Sequence, residues 1–180
     1  MAAAGVLAAI VMAAPAPALA RVVDDGALFP ARVLAAHNAA RAQAGMPRLQ
    51  WDNQLGIAAA RYAVQLAMTN SFRHSSARSR GAAGENLWMG TRGAFSVDAM
   101  IGGWTAERSA FRAGTFPAVS RTGNWHDVGH YTQMVWPGTQ RVGCALATNA
   151  RNHYLVCRYW PAGNVHGVAV RPAVEMAARR

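Results

Sequence analysis

The chain has 180 residues, enough for one domain with a real core and too few for two. Its 18 basic side chains, every one an arginine, outweigh 8 acidic ones and give a net charge of +10. Such a field favours anionic surfaces: phospholipid headgroups, acidic wall polymers or nucleic acid. The arginines are spread along the chain without any nucleic-acid motif, so a specific nucleic-acid partner is excluded and the charge reads as mostly solvated surface.

Residues 1–20, MAAAGVLAAIVMAAPAPALA, carry no charge and end on the small-x-small triplet Ala18-Leu19-Ala20. They read as a signal peptide cut after Ala20, although no Lys or Arg precedes the apolar run. That run is shorter than the ~20 residues a membrane span needs. No later segment is apolar enough to cross a bilayer, and no cysteine follows the run to carry a lipid anchor. The expected product is one domain over residues 21–180, with its core at about 28–167, secreted to the extracellular space or the cell surface. Cys144 and Cys157 are an even pair in an exported chain and read as a disulfide; two cysteines alone cannot make a structural zinc site.

Residues 21–29 are an unpatterned lead-in. Pro30 fits the first turn of a helix that runs alanine-rich to Gly45, with Pro47 just beyond as a stop. Asp52 is placed to cap a second helix, whose apolar stripe is Leu55, Ala58, Ala59, Tyr62 and Leu66. From Thr69 to Gly93 the density of Ser, Arg, Gly and Asn reads as loop. A third helix starts at Ser96, with Val97, Ile101, Trp104 and Phe111 on its buried side and Glu107 on the same face. A carboxylate there needs a partner, because an isolated buried charge is costly. After a further loop over 112–127, the runs RVGCALA and HYLVCRYW read as a β-hairpin; with Cys144 facing Cys157, its turn centres on Ala150 and Arg151.

The segment VGHYTQMVW, 128–136, mixes an imidazole, a hydroxyl and an amide with apolar and aromatic residues, as expected of polar groups aimed into a walled cavity. His74, Glu85, Glu107 and His130 together have the chemistry for a divalent ion, with neutral imidazoles as ligands and carboxylates behind them or acting as base. Spacing along the chain does not unite them. His126-Asp127-Val128-Gly129-His130 has the two-histidine spacing of the zinc-protease motif, with Asp in place of Glu; Gly129 and the preceding Gly123-Asn124 argue for a turn instead of the required helix. No G-x-S-x-G elbow surrounds the serines near His74, so Ser75 reads as a loop hydrogen-bonding residue.

GHYTQMVW at 129–136, HNAAR at 37–41, GENL at 84–87, WTAE at 104–107 and CRYWPAGN at 157–164, in this order, resemble the CAP superfamily of cysteine-rich secretory, antigen 5 and pathogenesis-related 1 proteins. The short two-cysteine form is similar to the bacterial secreted type, the SCP domain. The resemblance implies an α+β fold, a three-layer α-β-α sandwich. It implies that His74, Glu85, Glu107 and His130 meet in one open cleft, where His74 and His130 hold zinc or another divalent cation. Glu85, Glu107 and Gln133 would support them; Gln133 would position a ring or a water. His37, Asn38 and Trp51 would be structural. Phe111 stands where tyrosine is common, and Ala162 where a second proline is usual.

Two functions follow. One is a binding module for a lipid, sterol, peptide or cell-wall ligand, with metal as modulator. The other is a metal-dependent hydrolase or peptidase, with His74 and His130 as ligands and Glu85 or Glu107 as catalytic base. The first is preferred, since two histidines without a third ligand make a weak, exposed site and a shared fold says little about chemistry.

Overall fold

A computed structural model of the chain describes residues 28–170 together with the backbone of a short strand at Arg21–Val22. The leader at 1–20, the core of the lead-in and the Arg179-Arg180 tail lie outside the described residues. The elements run β1 (Arg21–Val22), α1 (Leu28–Gln43), β2 (Gln50–Trp51), α2 (Asn53–Thr69), α3 (Ala77–Arg80), β3 (Gly84–Thr91), α4 (Val97–Ala106), β4 (Gly114–Thr115), α5 (Gly129–Met134), β5 (Arg141–Thr148), β6 (Asn152–Trp160) and β7 (Ala169–Val170). Short 3-10 turns at Glu107–Ser109 and Trp125–Val128 precede β4 and α5.

The hairpin β5–β6 is the centre of the sheet, whose order is β1-β5-β6-β3, with β2 parallel to β5 on the β1 side. Cys144 stands opposite Cys157 and the two are joined by a disulfide, as the hairpin reading requires. Alternation along the strands sorts side chains between two layers. Ala145, Ala147, Leu87, Tyr154 and Val156 face α2 and its Ala59, Ala63, Leu66 and Ala67. Val142, Cys144, Leu146, Leu155, Cys157 and Tyr159 face the opposite core, built with α1, α4 and α5. The result is the expected three-layer α-β-α sandwich.

Local chemistry sets the element ends. Asp52 caps α2 by accepting from the N–H groups of Gln54 and Leu55. Gly143 lets α2 lie on β5: a Cβ there would come within 2.3 Å of the Gly56 nitrogen and 2.4 Å of the Asp52 carbonyl oxygen. The buried face of α2 is narrower than the predicted stripe, because Ala58 is exposed and Ala63 and Ala67 take its place. Small alanines suit a helix pressed this close to a sheet.

Four expectations need correction. Helix α1 begins at Leu28, before Pro30, and Arg21–Val22 of the lead-in pairs with Thr148 and Ala147 of β5. The stretch 69–93 is not one loop: it holds α3 and the full-length strand β3, whose polar, glycine-bearing sequence GENLWMGT lacks clean alternation but pairs with β6 along eight positions. The third helix ends at Ala106, so Glu107 starts a 3-10 turn and Phe111 lies beyond the helix altogether. Finally, arginine is not confined to the surface. Arg41 is 0% exposed and donates to the carbonyls of Pro47, Met134, Trp136 and Thr139. Arg158 is 4% exposed.

His37, Asn38 and Trp51 are structural, as expected. His37 Nδ1 donates to the Val33 carbonyl at 2.8 Å and Nε2 accepts from the Tyr159 hydroxyl at 2.9 Å. Burial lowers this histidine to about 4. Asn38 closes a pair of hydrogen bonds with the backbone of Leu49. Trp51 packs against the core and donates to Asn53.

Candidate functional site

The start of β3, the segment before it, the 3-10 turn at Trp125–Val128, α5 and the 160–164 turn enclose a cleft of about 350 Å³. His74, Glu85, Asn86, His130, Gln133 and Asn164 are among its lining residues. Each histidine is held from behind by a carboxylate. His74 Nδ1 lies 2.7 Å from Glu85 Oε1, and His130 Nδ1 lies 2.6 Å from Glu107 Oε1. An ionised carboxylate only accepts, so each ring's Nδ1 is the donor, and in the neutral form of the ring Nε2 keeps its lone pair toward a ligand.

The two clamps are built differently. Glu85 faces Arg158 directly across β3 and β6, and its Oε2 lies 3.0 Å from the guanidinium. It also accepts from the Ser75 N–H and hydroxyl at 2.9 Å each. Burial works against ionisation here, but His74, Arg158 and Ser75 together outweigh it and hold Glu85 below the usual carboxylate value. Arg158 in turn donates to Ser75 Oγ and lies over the Tyr62 ring. Among the described residues no arginine pairs with Glu107 as Arg158 pairs with Glu85. Its Oε2 accepts from the backbone N–H groups of His130 and Tyr131 at 2.9 and 3.0 Å, the unpaired donors at the start of α5. Trp104 stacks on the His130 ring with an interplanar angle of 14°.

Of the predicted set, His74, Glu85, His130 and Gln133 line the cleft, whereas Glu107 stands behind His130 and is not part of the lining. Gln133 does not position a ring: its Oε1 accepts from the Gly163 N–H and its Nε2 donates to Thr139, fixing the 160–164 turn against α5. Glycine at 84 makes room for it, since a Cβ there would lie 2.1 Å from Gln133 Oε1. His126 and Val128 belong to a 3-10 turn and His130 to α5, so the HDVGH segment is not the continuous helix a zinc-protease motif needs.

Sequence reasoning missed Ser75 as a carboxylate anchor, Arg158, Asn86 and Asn164. Asn86 donates to the His130 carbonyl, and Asn164 bridges Gly129 and Thr132. The available signal was Arg158 itself: once GENL is a strand paired with CRYW, Glu85 and Arg158 are cross-strand neighbours.

Comparison with known proteins agrees with this architecture. The model of the cysteine-rich secretory protein (CAP) family matches residues 34–159. Pathogenesis-related protein 1C of Nicotiana tabacum is 36% identical over 135 residues, covering 74% of this chain and 76% of its own length. Venom allergen 5 of Brachyponera chinensis is 32% identical over 139 residues, covering 72% of this chain and 68% of its own. Among solved structures, that of NaASP2 with Zn2+ superposes with a TM-score of 0.67 at 25% identity, over 83% of this chain and 88% of that one. The structure of BmVAL-1 superposes with a TM-score of 0.65 at 27% identity, over 82% of this chain and 85% of that one. The chain belongs to the cysteine-rich secretory protein (CAP) family.

Proposed function

We propose that this chain is an extracellular binding module whose cleft holds a divalent cation through His74 and His130 and takes a peptide, lipid or cell-wall ligand beside it. The observation that carries this reading is the pair of carboxylate-held imidazoles lining one cleft. A ligating histidine characteristically gives its second ring N–H to a carboxylate, so the donor set fits a borderline metal such as zinc. Among the described residues no three His, Cys, Asp or Glu side chains form a ligand set, so water would complete the coordination and the ion would be held weakly. The solved NaASP2 structure is described with Zn2+, which supports the same choice here. Kinship with the family supports the extracellular location, and no helix among the described residues is long and apolar enough to cross a membrane.

The geometry favours binding over hydrolysis. Both oxygens of Glu85 and of Glu107 are engaged in holding a ring, a backbone or a neighbouring side chain. A general base needs a free lone pair within reach of the attacking water. Glu85 has all four acceptor positions taken by His74, Ser75 and Arg158, and Glu107 has three of four taken and stands behind His130, outside the cleft lining.

Calorimetric titration of the full chain with zinc tests the reading. One weak site is expected in the wild type and none in the His74→Ala, His130→Ala double variant. Zinc binding unchanged in that variant removes both imidazoles as ligands.

A further inference from the structure

A second cavity, of about 170 Å³, lies away from the cleft and shares no lining residue with it. Its wall includes Ala44 and Met46 after α1, Arg108 and Phe111 after α4, and Tyr131 and Val135 at α5. The interior is apolar: a thioether, two aromatic rings and the valines Val135 and Val170. Phe111 and Tyr131 meet edge to face with centroids 5.3 Å apart.

Two polar groups interrupt this wall. Tyr131 is 2% exposed and its backbone N–H goes to Glu107; among the described residues its hydroxyl makes no hydrogen bond, and it is not one of the fully enclosed polar atoms left unpaired. Arg108 is exposed at the rim and uses one nitrogen on Gln43 Oε1, at 2.6 Å, which leaves further donors of its fork. The cavity therefore joins an apolar interior to two donor side chains on its lining, one of them cationic. An apolar cavity of ~150 Å³ accepts a benzene-sized ring.

We infer that this cavity is a binding site for a small aromatic or short aliphatic carboxylate, its apolar part against Met46, Phe111 and Val135 and its carboxylate on Tyr131 and Arg108. Ring or chain burial supplies the apolar contribution, and the phenol gains the acceptor it lacks. A neutral ligand of the same shape leaves the guanidinium unpaired by the ligand and binds less well. The site is independent of the cleft and of its cation.

The test uses the full chain with 13C-methyl-labelled methionine, and Met46→Leu to assign the Met46 resonance. Added benzoate is expected to shift the Met46 methyl signal saturably, because an aromatic ring in the cavity sits beside it. Benzyl alcohol, the uncharged counterpart, is expected to bind about tenfold more weakly, and Tyr131→Phe to weaken benzoate by about tenfold. Ala44→Leu, which places a side chain in the space, is expected to abolish the shift. His74→Ala should leave benzoate binding unchanged, which separates this site from the cleft. A Met46 signal that does not move, or benzoate affinity equal to wild type in folded Tyr131→Phe, overturns the inference. Tyr131→Phe keeps the ring and its packing, so it carries the test even where Ala44→Leu fails to fold.

Discussion

Replacing Arg41 by methionine should be among the most damaging substitutions outside the cleft. The guanidinium is fully buried; three of its four carbonyl contacts tie α1 to the end of α5 and the segment that leaves it, Met134 at 3.0 Å, Trp136 at 2.9 Å and Thr139 at 3.1 Å, and the fourth, Pro47, holds the loop after α1. Trp136 O keeps a second donor in the Thr139 N–H, at 3.2 Å. The carbonyls of Pro47, Met134 and Thr139 have no such reserve from turn or loop backbone. Leaving a buried acceptor unpaired costs about 1–3 kcal/mol each, so the gross penalty for the three is about 3–9 kcal/mol. The variant no longer buries a charge, and that gain offsets part of the loss. Burial lowers Arg41 to about 10, so it is still charged at neutral pH and the gain is real. The net expectation is about 4 kcal/mol of destabilisation. Urea unfolding with the disulfide oxidised measures it as a shift in midpoint at unchanged slope. Arg41→Lys should recover only a part, because one ammonium cannot reach the carbonyls a planar fork spans. An Arg41→Met protein within about 1 kcal/mol of wild type would refute this account of the buried cation.

Glu107→Gln removes the charge behind His130 while keeping a carbonyl for the α5 N–H groups; zinc affinity should fall about 10- to 100-fold, as read by calorimetry, and an unchanged affinity would sever Glu107 from the site. His37 is neutral in the fold, with its value lowered from 6.5 to about 4. The unfolded chain therefore binds the extra proton, and stability should drop by about 3 kcal/mol as pH falls from 6.5 to 4. Unfolding curves of His37→Gln should be flatter over that window; an equal slope removes this histidine as the source. Glu85 acts in a lower range: its depressed value makes its contribution present above 4.5 and lost as pH falls below it, a loss that Glu85→Gln should not show. Gly143→Ala drives a methyl into the backbone of Gly56 and Asp52 and should unfold the α2 layer at lower urea than any surface alanine; wild-type stability would mean that α2 can move off β5 at little cost.

Some of this molecule is plain in its sequence and some is not, for physical reasons. The β5–β6 hairpin, its disulfide, the Asp52 cap and the α1 stop depend on local patterns, and those survive folding. Strand β3 does not announce itself, because its polar end serves the cleft while Leu87 serves the core, so alternation is sacrificed where Glu85 and Asn86 are needed. The end of α4 is obscure for a similar reason: Glu107 looks like a helix-face residue at three from Trp104, but a 3-10 turn redirects it to the α5 N–H groups. His74 and His130 were accessible through motif resemblance alone, since nothing local connects residues 56 positions apart. The role of Arg158 needed the strand register, and that of Arg41 needed three carbonyls from a segment over 90 positions away.

The sharpest examination of the site is anomalous diffraction from crystals of the full chain soaked in zinc. The account predicts one peak in the cleft, at about 2.0–2.1 Å from Nε2 of both His74 and His130, with Nδ1 of each ring still on its carboxylate. A peak on one imidazole alone, or zinc bound elsewhere with the cleft empty, would contradict it.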